Sequence, residues 1–183
     1  MTLIKSISGI RGTIGGRPGE GLTPVDVVKF TAAYGTWLMN KNPEKKITVV
    51  IGRDARISGE MVQNLVAGSL KGLGIDVIYL GLSTTPTVEM SVVEHRAAGG
   101  IIITASHNPK QWNALKLLNE KGEFISAADG DAVLKIADNE LFSFADVNKV
   151  GKFTTDANAI QKHIEKILAL PLVDAKAIKA KNF

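Results

Sequence analysis

Along this 183-residue chain, apolar residues gather into short dense runs separated by capped polar stretches. Three runs, "KITVVIG" from Lys46, "IDVIYLG" from Ile75 and "GGIIIT" from Gly99, are rich in β-branched residues and closed by turn formers. Each predicts a buried strand. Between them lie helix signals. Thr23-Pro24-Val25-Asp26 places an N-cap, a proline at the first helical position and a capping-box acid, with Val25, Val28 and Ala32 as the expected apolar face. Ser58 is the expected cap of a second helix carrying Met61, Leu65 and Leu70 and stopped by Gly72 to Gly74. Thr84 and Thr85 before Pro86 open a third helix of about ten residues. "ALKLLNEKGEFI" reads as two strands of a hairpin turning at residues 119–122, with Gly122 at the position that needs positive φ. Ala127 to Asn139 is a further helix, and residues 143–155 carry no periodicity and read as a connector. From Asp156, "DANAIQKHIEKIL" is an amphipathic, capped helix, followed after Pro171 by a short helical piece to Phe183. Alternating strands and helices predict an α/β fold: a three-layer α/β/α arrangement around a mixed sheet.

Composition narrows the function. With 45% apolar and 22% charged residues the chain buries a core and is not broadly disordered. It lacks an apolar run near the ~20 residues that span a bilayer, and no secretory signal precedes the first strand. The expectation is a cytoplasmic protein with no membrane partner. Zero cysteines remove disulfides, thiolate metal sites and cysteine nucleophiles. The net charge is +4, tilted toward lysines after residue 148. Aromatics are 5% and do not interleave with those lysines, so they read as a solvated helix face and no nucleic-acid partner is expected.

One stretch carries the candidate chemistry. "IIITASHNPKQWNALKLL", residues 101–118, interrupts two apolar runs with a polar loop. Ligands of open α/β sheets bind beyond the carboxyl ends of the strands, and Ser106 follows such an end. His107 adjoins it, Asn108 and Pro109 stiffen the turn, and Lys116 on the returning strand reaches the same rim. A serine flanked by a cation and an imidazole suits phosphoryl transfer, where positioning and charge neutralisation dominate. By residue type alone a polar loop with a side-chain cap fits as well. No G-x-S-x-G elbow surrounds Ser106, which argues against a Ser-His-Asp hydrolase. His95 and His163 read as cap and surface residues. "SGIRGTIGG" around Arg11 does not have dinucleotide-loop spacing. It is either a flexible turn or a loop offering backbone N–H groups and a guanidinium to an anion. In "GRDARISG", Arg53, Asp54 and Arg56 are expected to pair internally and fix their own loop. Asp129-Gly130-Asp131 lacks the spaced oxygens of a calcium site.

Taken together, "GIRG" at 9–12, "GRDARISG" at 52–59 and "TASHNP" at 104–109 followed by "NALK" resemble the α-D-phosphohexomutase superfamily, which includes phosphoglucomutase, phosphomannomutase and phosphoglucosamine mutase. The likeness covers residues 4 to about 140, that family's first domain. It implies a four-domain phosphoserine enzyme interconverting hexose 6- and 1-phosphates through a hexose 1,6-bisphosphate. Ser106 would carry the phosphate, and His107 would be the histidine of its loop. Arg11 and Lys116 would contact substrate or phosphoserine and support proton transfer. Mg²⁺ would bind Ser106 through its phosphate and aspartates that this chain lacks. Residues 1–150 would be the phosphoserine domain and 151–183 helices entering a missing second domain, leaving the chain truncated and inactive alone. The phrasing around Ser106 leans toward glucosamine or mannose phosphates. The alternative is a stand-alone sugar-phosphate binding domain; a serine phosphatase is a third class.

Overall fold

Buried β-branched runs need paired edges and covered faces, and the described residues supply seven strands with helices packed on them. A computed structural model describes residues 1–6 and 9–182. In chain order it has β1 (Ile4–Ser6), β2 (Gly9–Thr13), α1 (Pro24–Lys41), β3 (Thr48–Arg53), α2 (Gly59–Gly72), β4 (Asp76–Leu82), α3 (Thr85–Glu94), β5 (Gly99–Ile103), β6 (Trp112–Leu118), α4 (Ala127–Asp138), β7 (Phe153–Thr155), α5 (Ala159–Leu168) and α6 (Ala175–Lys181). The sheet order is β1-β2-β6-β5-β3-β4-β7. Strands β5, β3, β4 and β7 run parallel, while β1, β2, β6 and β5 pair antiparallel. The expected mixed sheet is therefore present.

Side-chain alternation sorts the two faces. Ile10, Val49, Ile51, Val77, Ile101, Ile103, Leu115 and Leu117 turn toward α1, α2 and α4 and form the larger core. Val50, Leu80, Ile102 and Leu118 turn the other way, against Val88 and Val92 of α3. Over β1, β2 and β6 no described helix covers this second face, and Ile4, Arg11 and Phe124 are exposed there. Tyr34 of α1 drives its hydroxyl onto the carbonyls of Leu118 (2.6 Å) and Gly100 (3.2 Å). The approach requires glycine at 99, where a Cβ would sit 2.2 Å from that hydroxyl.

Helix starts follow the capping chemistry. Thr23 and Asp26 close a capping box, Thr84 accepts from the Thr87 N–H, and Ser126 and Asp129 close a second box on α4. Several details differ from the sequence expectations. The buried stripe of α1 is Val27, Phe30, Tyr34, Trp37 and Leu38, whereas Val25 is exposed. The stripe is rotated because α1 packs against both α2 and α4. Ser58 makes no side-chain cap bond, since its hydroxyl instead accepts from Asn113 Nδ2 at 2.9 Å. The second arm of the hairpin after residue 118 is a single bridge, Leu118 to Phe124, because α4 begins almost at once. The turn itself forms as expected, with Gly122 at φ +75°.

β1 and β2 were not signalled: "GIRGT" is glycine-rich and short. β7 lies inside the stretch read as a connector and is exposed throughout, pairing in parallel with β4. The amphipathic helix after Asp156 starts only at Ala159, and its Asn158 cap makes no side-chain bond. It docks on α3 through its polar face: Ala159 is its one buried residue, while Ile160, Ile164, Ile167 and Leu168 are exposed. Phe183, the expected end of the last helical piece, lies outside the described residues. None of the described helices is long and apolar enough to cross a membrane.

Candidate active site

In the parallel part of the sheet, the chain leaves β3 toward β4 with α2 on one face and returns from β4 to β5 with α3 on the other. The order therefore reverses between β3 and β5, and the crevice beyond their carboxyl ends is the place where such folds bind ligands. "GRDAR" leaves β3 there and "TASHNP" leaves β5 beside it, joined at their base by the Asp54 N–H donating to the Ile103 carbonyl (3.1 Å).

Ser106 stands in this crevice, exposed, with φ +54°. A left-handed backbone at a residue with a Cβ costs about 1–2 kcal/mol and persists only where its surroundings hold it. Here the side chains of Arg56, Thr104 and Asn108 do so, Arg56 with the most bonds. The guanidinium of Arg56, 11% exposed, donates from Nη2 to the carbonyls of Ser106 and Asn108, both at 2.8 Å. From Nη1 it donates to those of Pro109 (2.9 Å) and Trp112 (3.1 Å). Its Nε donates to Asp54 Oδ2 at 3.1 Å, and Asp54 Oδ1 in turn accepts the Arg56 backbone N–H. The Thr104 hydroxyl donates to Asp54 Oδ2 (2.6 Å) and accepts the Ser106 N–H (3.1 Å). Asn108 closes the loop by donating from its N–H and its Nδ2 to the Ala105 carbonyl, both at 3.0 Å.

The other expected site residues take distinct places. His107 is exposed, with Nδ1 3.5 Å from Ser106 Oγ, a long contact. Arg11 pairs with Ala114, and Lys116 sits two residues further along β6. The two cations thus occupy one diagonal of the uncovered face, a spacing of about 7–8 Å between such neighbours. The Lys116 ammonium lies over the Phe124 ring, 5.6 Å from its centroid. Among the described residues neither cation hydrogen-bonds Ser106. The site is an open rim with its positive charge to one side. A recess of about 600 Å³ between Met39, Lys46, Gly74, Phe144 and Lys149 lies at the opposite, amino-terminal edge of β3 and β4, away from this chemistry.

Sequence reasoning read Arg53, Asp54 and Arg56 as pairing within their own loop, and the Arg56–Asp54 pair is present. It missed that Arg56 reaches across to the serine loop about fifty positions away. The available signal was two loops leaving neighbouring parallel strands, one with a buried-looking arginine and one with many carbonyls to satisfy.

The chain matches the description "Phosphoglucomutase/phosphomannomutase, alpha/beta/alpha domain I" over residues 3–144. It belongs to that family. A phosphoglucomutase/phosphomannomutase of Thermococcus kodakarensis is 36% identical over 173 residues, 93% of this chain and 37% of the relative. A probable phosphoglucosamine mutase of Methanosphaera stadtmanae is 33% identical over 168 residues, 91% and 36% of the two chains. The chain thus spans little more than a third of the length of these relatives. A structure of a phosphoglucomutase/phosphomannomutase family protein from Burkholderia thailandensis, 24% identical, shares the fold, with a TM-score of 0.72 over 90% of this chain and 36% of that one.

The resemblance to phosphohexomutases implies Mg²⁺, and among the described residues the carboxylates beside Ser106 do not by themselves make up a site for it. Asp54, the carboxylate nearest the serine loop, already accepts from Arg56 twice and from Thr104. Glu94, His95 and Asp156 cluster closely, but on the α3–α5 seam, where Lys162 and Lys166 occupy the carboxylates.

Proposed function

We propose that this chain is the phosphate-carrying domain of a phosphohexomutase. The observation behind the reading is Ser106: an exposed hydroxyl at the sheet's switch point, on a loop fixed from beneath, with Arg11 and Lys116 on the uncovered face to one side. Ser106 Oγ attacks the phosphorus of a hexose 1,6-bisphosphate. The Oγ–P bond forms, the P–O bond to the sugar breaks, and the hydroxyl proton ends on the released sugar oxygen, with His107 Nδ1 placed to relay it. In the reverse step the phosphoryl group passes to the other hydroxyl of a reoriented hexose monophosphate. Arg11 and Lys116 neutralise the transferring group and hold substrate phosphate. The sugar class we assign is glucosamine or mannose phosphate. Mg²⁺ would take an oxygen of the Ser106 phosphate, with its remaining ligands supplied from outside these residues.

Relatives about two and a half times as long perform the complete reaction in our reading, so the 183 residues alone accept a phosphoryl group without sustaining turnover. Prolonged incubation with glucose 1,6-bisphosphate should add the mass of one phosphoryl group, localised to Ser106 by peptide mapping, with no interconversion of glucosamine, mannose or glucose phosphates. Failure of Ser106 to gain phosphate overturns the carrier role. Affinity for hexose phosphates without phosphate gain moves the protein to a binding domain, and steady interconversion removes the claim of inactivity.

A further inference from the structure

Arginine has five N–H donors, in a planar fork. Arg56 spends all five inside the protein: one on Asp54 and four on the carbonyls of Ser106, Asn108, Pro109 and Trp112. None is left for a substrate. The four carbonyls converge on one point beneath the loop, and no run of helix or sheet accounts for that convergence. A loop free to relax would turn these oxygens to water. There they would repel a phosphate dianion and release Ser106 from φ +54°.

We infer that Arg56 is the positioning residue of the nucleophile: its guanidinium gathers the carbonyls away from the rim, and so holds the Ser106 hydroxyl facing solvent with no carbonyl lone pairs beside it. A fixed positive charge also comes to lie 2.8 Å from the Ser106 carbonyl. The Asp54 carboxylate orients the fork through Nε, and the Thr104 hydroxyl links that carboxylate to the Ser106 N–H. The consequence for phosphoryl transfer rests on the carrier reading of Ser106; the positioning itself does not.

Two variants separate geometry from charge. Arg56→Lys keeps the charge but offers three donors from a single atom, and Arg56→Met removes both. The first readout is amide hydrogen exchange in the 183-residue chain, needing no ligand. The N–H groups of Ser106, Asn108 and Trp112 are hydrogen-bonded within the loop. In both variants their exchange should quicken by about two orders of magnitude, while strand amides of β5 and β6 change by less than about threefold. Unchanged exchange at those three amides in either variant overturns the inference. So does equal acceleration throughout the sheet, which would make Arg56 a general stability residue.

The second readout is phosphate gain from glucose 1,6-bisphosphate. Both variants should accept phosphate about a hundredfold more slowly than the parent chain, the scale on which misplaced reacting groups lose rate. A lysine variant that accepts at the parental rate overturns positioning in favour of charge alone. A parent chain that gains no phosphate counts against the carrier reading, and the exchange comparison then decides the role of Arg56 by itself.

Discussion

The Arg56 shoulder and the α3–α5 seam are both charged, and they are built of different partners. On the shoulder, one nearly buried guanidinium binds four backbone carbonyls and one carboxylate. At the seam, Lys162 meets Glu94 (3.1 Å) and Asp156 (2.9 Å), Lys166 meets Glu94 (2.7 Å), and His95 Nε2 lies 2.9 Å from Asp156. Those lysines are 39% and 47% exposed. A side chain bonded to the main chain fixes the path of the polypeptide, since the carbonyls cannot leave without moving the loop. Ion pairs between flexible exposed side chains are screened by salt and fix little. Charge therefore determines geometry in the first region and merely tethers α5 in the second.

The largest expected effect tests what the shoulder presents. Ser106→Ala should abolish phosphate gain from glucose 1,6-bisphosphate entirely, read by intact mass, while circular dichroism stays that of the parent chain. Phosphate appearing elsewhere at the same rate would detach the shoulder from any chemistry.

A smaller effect should come from within the shoulder network. Thr104→Val keeps the shape but removes the hydroxyl that joins Asp54 to the Ser106 N–H. Leaving these groups unpaired should lower unfolding stability by about 1–3 kcal/mol in a urea titration. A neutral result would mean that water replaces the hydroxyl and that the relay has no structural weight.

The seam should respond least, and to solution conditions before mutation. Hydrogen bonds from Lys162 hold the Asp156 carboxyl below its ordinary range, and those from Lys166 and Lys162 do the same for Glu94. A carboxyl with a depressed folded pKa stabilises above its unfolded value, near ~4, and that contribution is lost as the pH falls through the folded value. Donation to Asp156 raises the pKa of Lys162, so its share persists until strongly alkaline pH. Acidification below pH ~4, or molar salt at neutral pH, should therefore reduce protection of the α5 amides by up to about fivefold, and the salt should leave the Ser106 loop unchanged. Loosening of both regions together in salt would erase the distinction between them.

What was legible in the sequence follows the same division between local and distant partners. Thr23 with Asp26 and Thr84 before Pro86 act within a single turn, so those two helix starts could be read directly. The core strands announced themselves because both faces are buried. β7 could not, since it is three exposed residues long and its place is set by pairing to β4, a strand some seventy-six positions away. Ser58 looked like a cap and serves Asn113 instead, a partner 55 positions away. At the site, Ser106 was marked by its place after a strand. The face shared by Arg11 and Lys116 needed the register of β2 on β6. Arg56 needed the strand order, because nothing in "GRDAR" says which loop will lie beside it.

The buried phenol of Tyr34 gives the fold an optical marker. Burial pushes its pKa far above the usual tyrosine range. A neutral phenol in the folded chain stabilises it below the unfolded value, near ~10, and this is lost progressively as alkali rises above it. Tyr34 is one of two tyrosines, and its phenolate absorbs ultraviolet light at longer wavelength than the phenol. Its share of that absorbance should appear only as the α1–sheet packing opens, so the chain carries an unlabelled spectroscopic record of its own alkaline unfolding.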